Sequence, residues 1–467
     1  MYEKVMSFKI GKSQIHGKIA TRKDVHMILS FTIENFRSFK ERSVLTFEAS
    51  GNKSHNASHI FTSPSGQQVL KSAGLYGANA SGKSNFLLAF DALKYLVVKT
   101  GALTEGKKIA CYEPYRLCED TKHAPIKFEL EFLNRDNVKF IYKISYLANK
   151  ILSESLDFYP SRAKANIFTR EEGQTWEDIK FGSLYKGGLR KIPFFDNNSY
   201  LSKAGNNAAG SELMRGLFKF FEEQICYLPT FHQLILSSKN DDSQEILSRA
   251  ASILKYVDTG INDVKMVQQE VKIPEFMNAF PEEIKQNYID SNTDQFQFTH
   301  VGETGFEEVF EDKFESDGTL KIFNMLPLLL GAFEKRMVFV IDELDNGLHA
   351  HMADFVIRLF NDKTINKVGS QLIFTTHNLN IMSHEKMRRD QIWFVEKEKG
   401  ASRCFSLDDF DKKRVTASSP FGLWYDEGRF GGVPLINYTQ IKRLIIDYNK
   451  GKSLENNELN LDDDSKE

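Results

Sequence analysis

From Ile28 to Phe39 the chain reads ILSFTIENFRSF, with apolar and polar side chains alternating at the period of a half-buried strand. SVLTFEAS, from Ser43, repeats the pattern, and SAGLYGANASGKSNFLLAFDALKYLVV follows as a short apolar strand, a glycine-rich turn and an amphipathic helix. Runs such as IKFELEF and FIYKISYL, within residues 125–160, predict an antiparallel sheet, and residues 161–205, rich in Gly, Asn and Lys, read as hairpins and loops. Over residues 211–290 the period changes. SELMRGLFKFFEEQI and SQEILSRAASILKYV carry apolar positions at helical spacing, Ile246, Leu247, Ala250, Ile253, Leu254 and Val257 among them. This predicts a helical insertion between two halves of an α/β core, too short and irregular for a long coiled coil. The core resumes at a polar turn, Ser316-Asp317-Gly318-Thr319, which opens a helix, and continues through strands in RMVFVIDELD, SQLIFTTHN and QIWFVEKEKG.

The expected organisation is a core half over residues 27–160, a hairpin and helical insertion over 161–300, and a second core half over 301–449. Residues 1–26 are polar and basic and lack periodicity; they are expected to be a disordered or non-native extension ahead of Met27. Residues 450–467 read as a solvated acidic tail. Composition changes this picture little. The 467 residues are 41% hydrophobic, enough for two or three lobes, and 61 basic against 63 acidic residues give no global pull toward nucleic acid or a membrane surface. Four cysteines without metal-ligand spacing, no secretion signal and no run near the ~18 apolar residues of a membrane helix predict a soluble cytoplasmic protein without membrane contact.

Three strand ends carry the chemistry. Gly77-Ala78-Asn79-Ala80-Ser81-Gly82-Lys83-Ser84 is a full G-x-x-x-x-G-K-S phosphate loop between a strand and a helix, which implies ATP and Mg²⁺. Backbone N–H groups would cradle phosphate, Lys83 would reach the β- and γ-phosphates, and Ser84 would ligate the metal. The apolar strand Val338 to Ile341 delivers Asp342, a candidate Mg²⁺ ligand, and Glu343, a candidate base for the attacking water. His377, at the end of LIFTTHN, is a candidate γ-phosphate sensor. Alone, each of the last two would be an ordinary strand end, and Ser316-Asp317-Gly318 alone would be a helix cap.

The order glycine loop, Ser-x-Gly turn, Asp-Glu, His is similar to that of ABC-type ATPases, in which the Ser-x-Gly turn serves the partner's nucleotide across a dimer. Together with NFRSF, GLYGANASGKSN, ESDGTLKIFNMLPLL, FVIDELDNGLHAHM and QIWFVEKEKGASRCFSL, it resembles the SMC and recombination-type members. Within these it is similar to the AAA15/AAA21-labelled ATP-binding proteins of bacterial abortive-infection and phage-defence systems, the ATPase subunit of PARIS-like systems and the ATPase domain of OLD-family nucleases included. The likeness covers residues 27–150 and 300–440. It implies a P-loop NTPase of ABC type, with a mixed sheet, an antiparallel β subdomain and an inserted helical subdomain. It further implies nucleotide contacts at Asn79, Gly82, Lys83, Ser84, Asn85 and Arg37. Ser316, Asp317 and Gly318 become a signature acting in trans, and Leu348-His349 lies near the dimer seam. YDEGRFGGVPLI, from Tyr425, resembles a C-terminal signature without assigned chemistry.

Two departures matter. The signature lacks the second Gly and the Gln of transporter ATPases, and no glutamine loop can be placed from the sequence. The expected activity is ATP hydrolysis by a homodimer or higher oligomer. The expected role is sensing and control in antiphage defence, with a phage protein or DNA as trigger and a separate effector nuclease, because the one acidic cluster between His377 and the tail, SLDDFD, is too little for a nuclease site. An SMC-like DNA-repair ATPase and a scaffold for which ATP binding matters more than turnover are the alternatives.

Overall fold

The computed structural model describes residues 26–448 apart from 52–54, 135, 162, 229–240, 258–259, 417, 434–437 and 447. The expectations for residues 1–25 and 450–467 fall outside this set. The chain forms two compact units, Met1–Gly432 and Val433–Glu467. In the second, residues 438–446 are helical with exposed side chains.

The first unit is built on two sheets. One is antiparallel and contains β1 (Met27–Glu34), β2 (Ser43–Thr46), β6 (Ile126–Leu133), β7 (Lys139–Tyr146), β8 (Ile151–Tyr159), β9 (Ala165–Arg170) and β10 (Lys180–Phe181), in the order β10-β9-β8-β7-β6-β1-β2. The other contains β5 (Ser72–Tyr76), β11 (Ile225–Leu228), β15 (Val338–Ile341), β16 (Gln371–Thr375), β17 (Ile392–Glu398) and β18 (Ala401–Ser406), in the order β11-β15-β16-β5-β17-β18. Its first five strands are parallel, and β18 returns antiparallel on β17. A hairpin of β3 (Ile60–Thr62) and β4 (Gln68–Leu70), preceded by the short α1 (Asn56–His59), leads into β5.

Between the two sheets runs α2 (Lys83–Val98). Phe86, Leu87, Ala89, Phe90, Leu93, Leu96 and Val97 are all buried, so apolar residues surround the helix rather than forming one stripe, as expected of a helix with packing on both sides. Phe31 of β1 meets Phe90 at 4.3 Å between ring centroids and Phe86 edge-on. Gln371 joins the sheets at their base: its Oε1 accepts from Ile28 N at 2.7 Å and its Nε2 donates to Ile28 O at 2.9 Å, which satisfies a fully buried amide. Behind this core, α3 (Tyr200–Gly205) and α4 (Glu212–Lys219) carry serine N-caps, Ser199 and Ser211.

The insertion holds its predicted helical segment as α5 (Asp241–Leu254) and a further helix α6 (Glu282–Asn292), together with a three-stranded antiparallel sheet, β12 (Ile261–Gln268), β13 (Asp294–Val301) and β14 (Glu307–Glu311). The sheet went unread because its only clean alternation, Phe296 and Phe298, sits inside a stretch dominated by polar residues. Its hydrophobic cluster is completed by the core: Leu247, Leu254, Val264 and Phe298 pack with Ile322, Phe323 and Leu326 of α7 (Asp317–Lys335). Two more helices, α8 (Ala350–Asn361) and α9 (Phe421–Asp426), follow, and among the described residues no helix is long and apolar enough to cross a membrane.

Candidate functional site

Parallel strands place their C-terminal ends on one edge of a sheet, and this edge gathers most of the predicted residues. β5 ends at Tyr76 and turns through residues 77–82 into α2. Two of the glycines are required by close approach. A Cβ on Gly77 would lie 2.2 Å from Val395 O, and one on Gly82, at φ +114°, would lie 2.4 Å from Ser402 Oγ and 2.7 Å from Ser38 Oγ. Asn79 and Ala80 stand exposed at the crest, Ala80 with φ +61°. Lys83 donates to Gly77 O at 2.8 Å and Ala78 O at 3.1 Å, so its ammonium bends over the loop. Burial pulls that ammonium below its usual range, while Asp342, Glu343 and Asp345 hold it up.

The loop fits a phosphate group. No side chain caps the N-terminus of α2, which leaves its first N–H groups for an anion, and the Ser81 hydroxyl is buried without a hydrogen-bond partner. Ser84 lies in the first turn of α2. Asn85 accepts from Arg37 Nη1 at 3.2 Å and donates to Ser38 Oγ at 2.8 Å. Arg37, held at φ +51°, also pairs with Glu113. An open cleft of about 460 Å³ beside the first turn of α2 is lined by Arg37, Asn85, Tyr115, Arg116, Leu117 and Lys397.

β15 lies one strand away from β5, with β16 between them. Asp342 and Glu343 follow its last residue and are tied to one fully buried hydroxyl. Thr375 Oγ1 donates to Asp342 Oδ1 at 2.6 Å and accepts from Glu343 N at 2.7 Å. Among the described residues Asp342 Oδ2 accepts no hydrogen bond, which leaves that oxygen open to a cation. Glu343 is exposed and adopts φ +47°, a left-handed conformation that costs a non-glycine residue of order 1 kcal/mol or more. Its carboxylate accepts from Asn346 Nδ2 at 3.0 Å. His377 leaves β16 with its ring exposed and its backbone N–H directed at the Asp345 carboxylate, 3.2 Å from Oδ2.

The signature turn packs beside the loop that follows Glu343 rather than on the phosphate loop. Ser316 caps α7, accepting from Thr319 N at 3.1 Å, and both Ser316 and Asp317 are exposed. Among the described residues no hydrogen bond joins residues 316–318 to residues 77–85. Gly318 instead abuts the loop after Glu343: a Cβ there would lie 3.0 Å from Gly347 O. Leu348 is half-buried and His349 caps α8 through its ring.

Several residues that shape this edge lie inside the motif stretches but have no role assigned from the sequence. Ser38 and Ser402 brace Gly82 from behind, and Thr375 links Asp342 to Glu343. Gly432, in the C-terminal stretch without assigned chemistry, lies against the phosphate loop: a Cβ there would be 3.8 Å from Gly77 Cα. A Gly-Gly pair is a legible turn signal, but its target lies hundreds of residues away. No glutamine loop is identified among the described residues: β11 ends at Leu228, whose carbonyl accepts from Asp342 N at 3.1 Å, and residues 229–240 lie outside the described set.

A family model described as "AAA domain, putative AbiEii toxin, Type IV TA system" matches residues 72–383, more than half of the chain. No curated protein matches the sequence. Among solved structures, the chain is similar to the Smc head domain with a coiled coil and joint from Pyrococcus yayanosii, with 10% identity over 86% of this chain and 100% of that one, at a TM-score of 0.42. It is also similar to the recombination mediator protein RecF-ATPrS of the RecFOR pathway (13% identity, 82% and 99% coverage, TM-score 0.35) and to the SMC head domain from Thermotoga maritima (13%, 81% and 98%, 0.32). With the phosphate loop, the Asp-Glu strand end and the family match in one unit, the chain belongs to this AAA-domain family and carries the P-loop and the Asp-Glu pair on one edge of a parallel sheet.

Proposed function

We propose that this chain binds ATP with Mg²⁺ and hydrolyses it within a nucleotide-sandwiched dimer or higher oligomer, as the sensor and regulatory ATPase of an abortive-infection system directed against phage, with a separate effector nuclease. The observation that carries the catalytic part is the convergence, on one sheet edge, of an uncapped phosphate loop and the Asp342-Glu343 pair, close enough for three carboxylates to act on the Lys83 ammonium. Lys83 and the N–H groups of the loop would hold the phosphates, and the cleft at Arg37 would take the nucleoside. Ser84 and Asp342 would hold Mg²⁺, which when bound draws charge from phosphate oxygens. Glu343 would accept the proton of the attacking water, and His377 would help to fix that water. Self-association is supported by the signature turn, which is exposed and lies apart from its own phosphate loop; Ser316 and Gly318 of one copy would meet the nucleotide on another. The defence role is supported by the family's description, which names an AbiEii toxin and a Type IV TA system, and a cytoplasmic setting goes with it.

Lys83→Ala is expected to abolish ATP binding, and Glu343→Gln to keep binding while losing turnover. Wild-type hydrolysis by Glu343→Gln would sink the base assignment. For the biological role, Lys83→Ala in cells carrying the intact locus should remove protection against phage. Salt-dependent DNA binding with DNA-stimulated ATPase, and no effect on infection, would instead make it a DNA-repair ATPase.

A further inference from the structure

The signature helix and the candidate base are connected through a single residue. Asn346 donates its backbone N–H to Glu343 O at 2.9 Å and its side-chain amide to Glu343 Oε2 at 3.0 Å. Its own carbonyl accepts from Lys321 Nζ, on α7. Lys321 lies three residues after Gly318, hence on the same helical face, and Gly318 presses on Gly347, the neighbour of Asn346. Both contacts of α7 therefore fall on the loop that orients Glu343. Glu343 needs such support. At φ +47° its backbone is held against a local preference, and among the described residues the bonds from Asn346 and Thr375 hold it there.

We propose that Lys321 and Asn346 are positioning residues that make the orientation of the Glu343 carboxylate depend on how α7 is seated. This rests on the reading of Glu343 as the base. The device requires no contact between Lys321 and nucleotide: the ammonium fixes the Asn346 carbonyl, the peptide unit fixes the amide, and the amide fixes the carboxylate. Lys321 is half-buried, and its ammonium is lowered by that burial while Asp345 and Glu343 oppose the shift, so it sits within the field of the site it would organise.

Steady-state ATPase kinetics on Asn346→Ala, Lys321→Met, Lys321→Arg and the double variant Asn346→Ala/Lys321→Met test this. A misplaced base costs rate rather than nucleotide affinity. Asn346→Ala and Lys321→Met should each lower kcat by about tenfold to a hundredfold, with KM for ATP within about twofold of wild type. Lys321→Arg, which keeps the donor, should recover most of the rate. The double variant should be no slower than the slower single, because both act through one carboxylate. Wild-type kcat in either single variant, losses that multiply in the double, or a loss carried by KM would each overturn the proposal. Glu343→Gln, measured alongside, separates the two levels: if it hydrolyses ATP normally the base reading fails, and if it is inactive while Asn346→Ala and Lys321→Met are not, the positioning alone fails. Asn346 is exposed and Lys321 half-buried, so thermal melts of both variants should match wild type, which separates positioning from folding.

Discussion

Replacing Thr375 by Val keeps the shape of a fully buried side chain while removing its hydroxyl. That hydroxyl makes two bonds, one to the Asp342 carboxylate at 2.6 Å and one from the Glu343 N–H at 2.7 Å. A hydrogen bond to a charged group contributes about 1.5–3 kcal/mol and one between neutral groups about 0.5–1.5 kcal/mol. Asp342 is half-buried and can turn to water, so its share belongs at the lower end. The Glu343 N–H, on a residue of fixed and unfavourable φ, has less freedom to find another acceptor. The expected loss is about 2–3 kcal/mol in urea unfolding followed by fluorescence, with kcat for ATP reduced at least about tenfold. Thr375→Ser keeps both bonds and gives up one methyl, about 0.8 kcal/mol, with kcat close to wild type. The Val and Ser variants alike in stability and rate would refute the reasoning, because the hydroxyl would then hold neither carboxylate.

Ser316→Arg should bind ATP through its own Lys83 loop and hydrolyse little, and mixing it with Lys83→Ala protein should restore part of the rate once subunits exchange; a flat line at background across mixing ratios rejects the shared site. Gly82→Ala should abolish ATP binding in a direct titration, since φ +114° and a Cβ 2.4 Å from Ser402 Oγ both oppose it. His59 is buried against Gln391, and burial pushes its imidazole down to about 4 from 6.5. Between these values the unfolded chain binds more protons, so stability should fall as pH drops from 6.5 toward 4, by up to about 3 kcal/mol. Urea midpoints at pH 7 and pH 4.5 check this, and His59→Gln should flatten the difference.

The phosphate loop was legible because its chemistry fixes both residue types and spacing within eight consecutive positions. Asp342-Glu343 and His377 were legible because an apolar strand ends on them, and parallel strands deliver their ends to one edge. What the sequence could not disclose is which distant atoms crowd that edge. Ser38, in the turn after β1, and Ser402, in β18, reach Gly82 from far away in the chain, and nothing local distinguishes them from surface serines. Thr375 reads as one more strand residue, although it alone ties Asp342 to Glu343. Lys321 and Asn346 meet across 25 residues, and nothing local in the sequence marks either one. The inserted sheet was obscured for another reason: β14 is exposed along nearly its whole length, and β12 is broken by a bulge after Ile261, so neither shows a strict two-residue period.

The insertion has both feet in the nucleotide edge. The chain leaves the core from β11, whose last carbonyl receives the Asp342 N–H, and returns through Glu315, which is paired with His300 of β13 at 2.6 Å immediately before Ser316. Its apolar cluster closes on α7 itself. If nucleotide binding changes the affinity of the insertion for any ligand by some factor, that ligand must change nucleotide affinity by the same factor. A molecule caught at the far sheet could therefore be detected by nucleotide titration alone, without knowing its identity and without a contact between it and ATP.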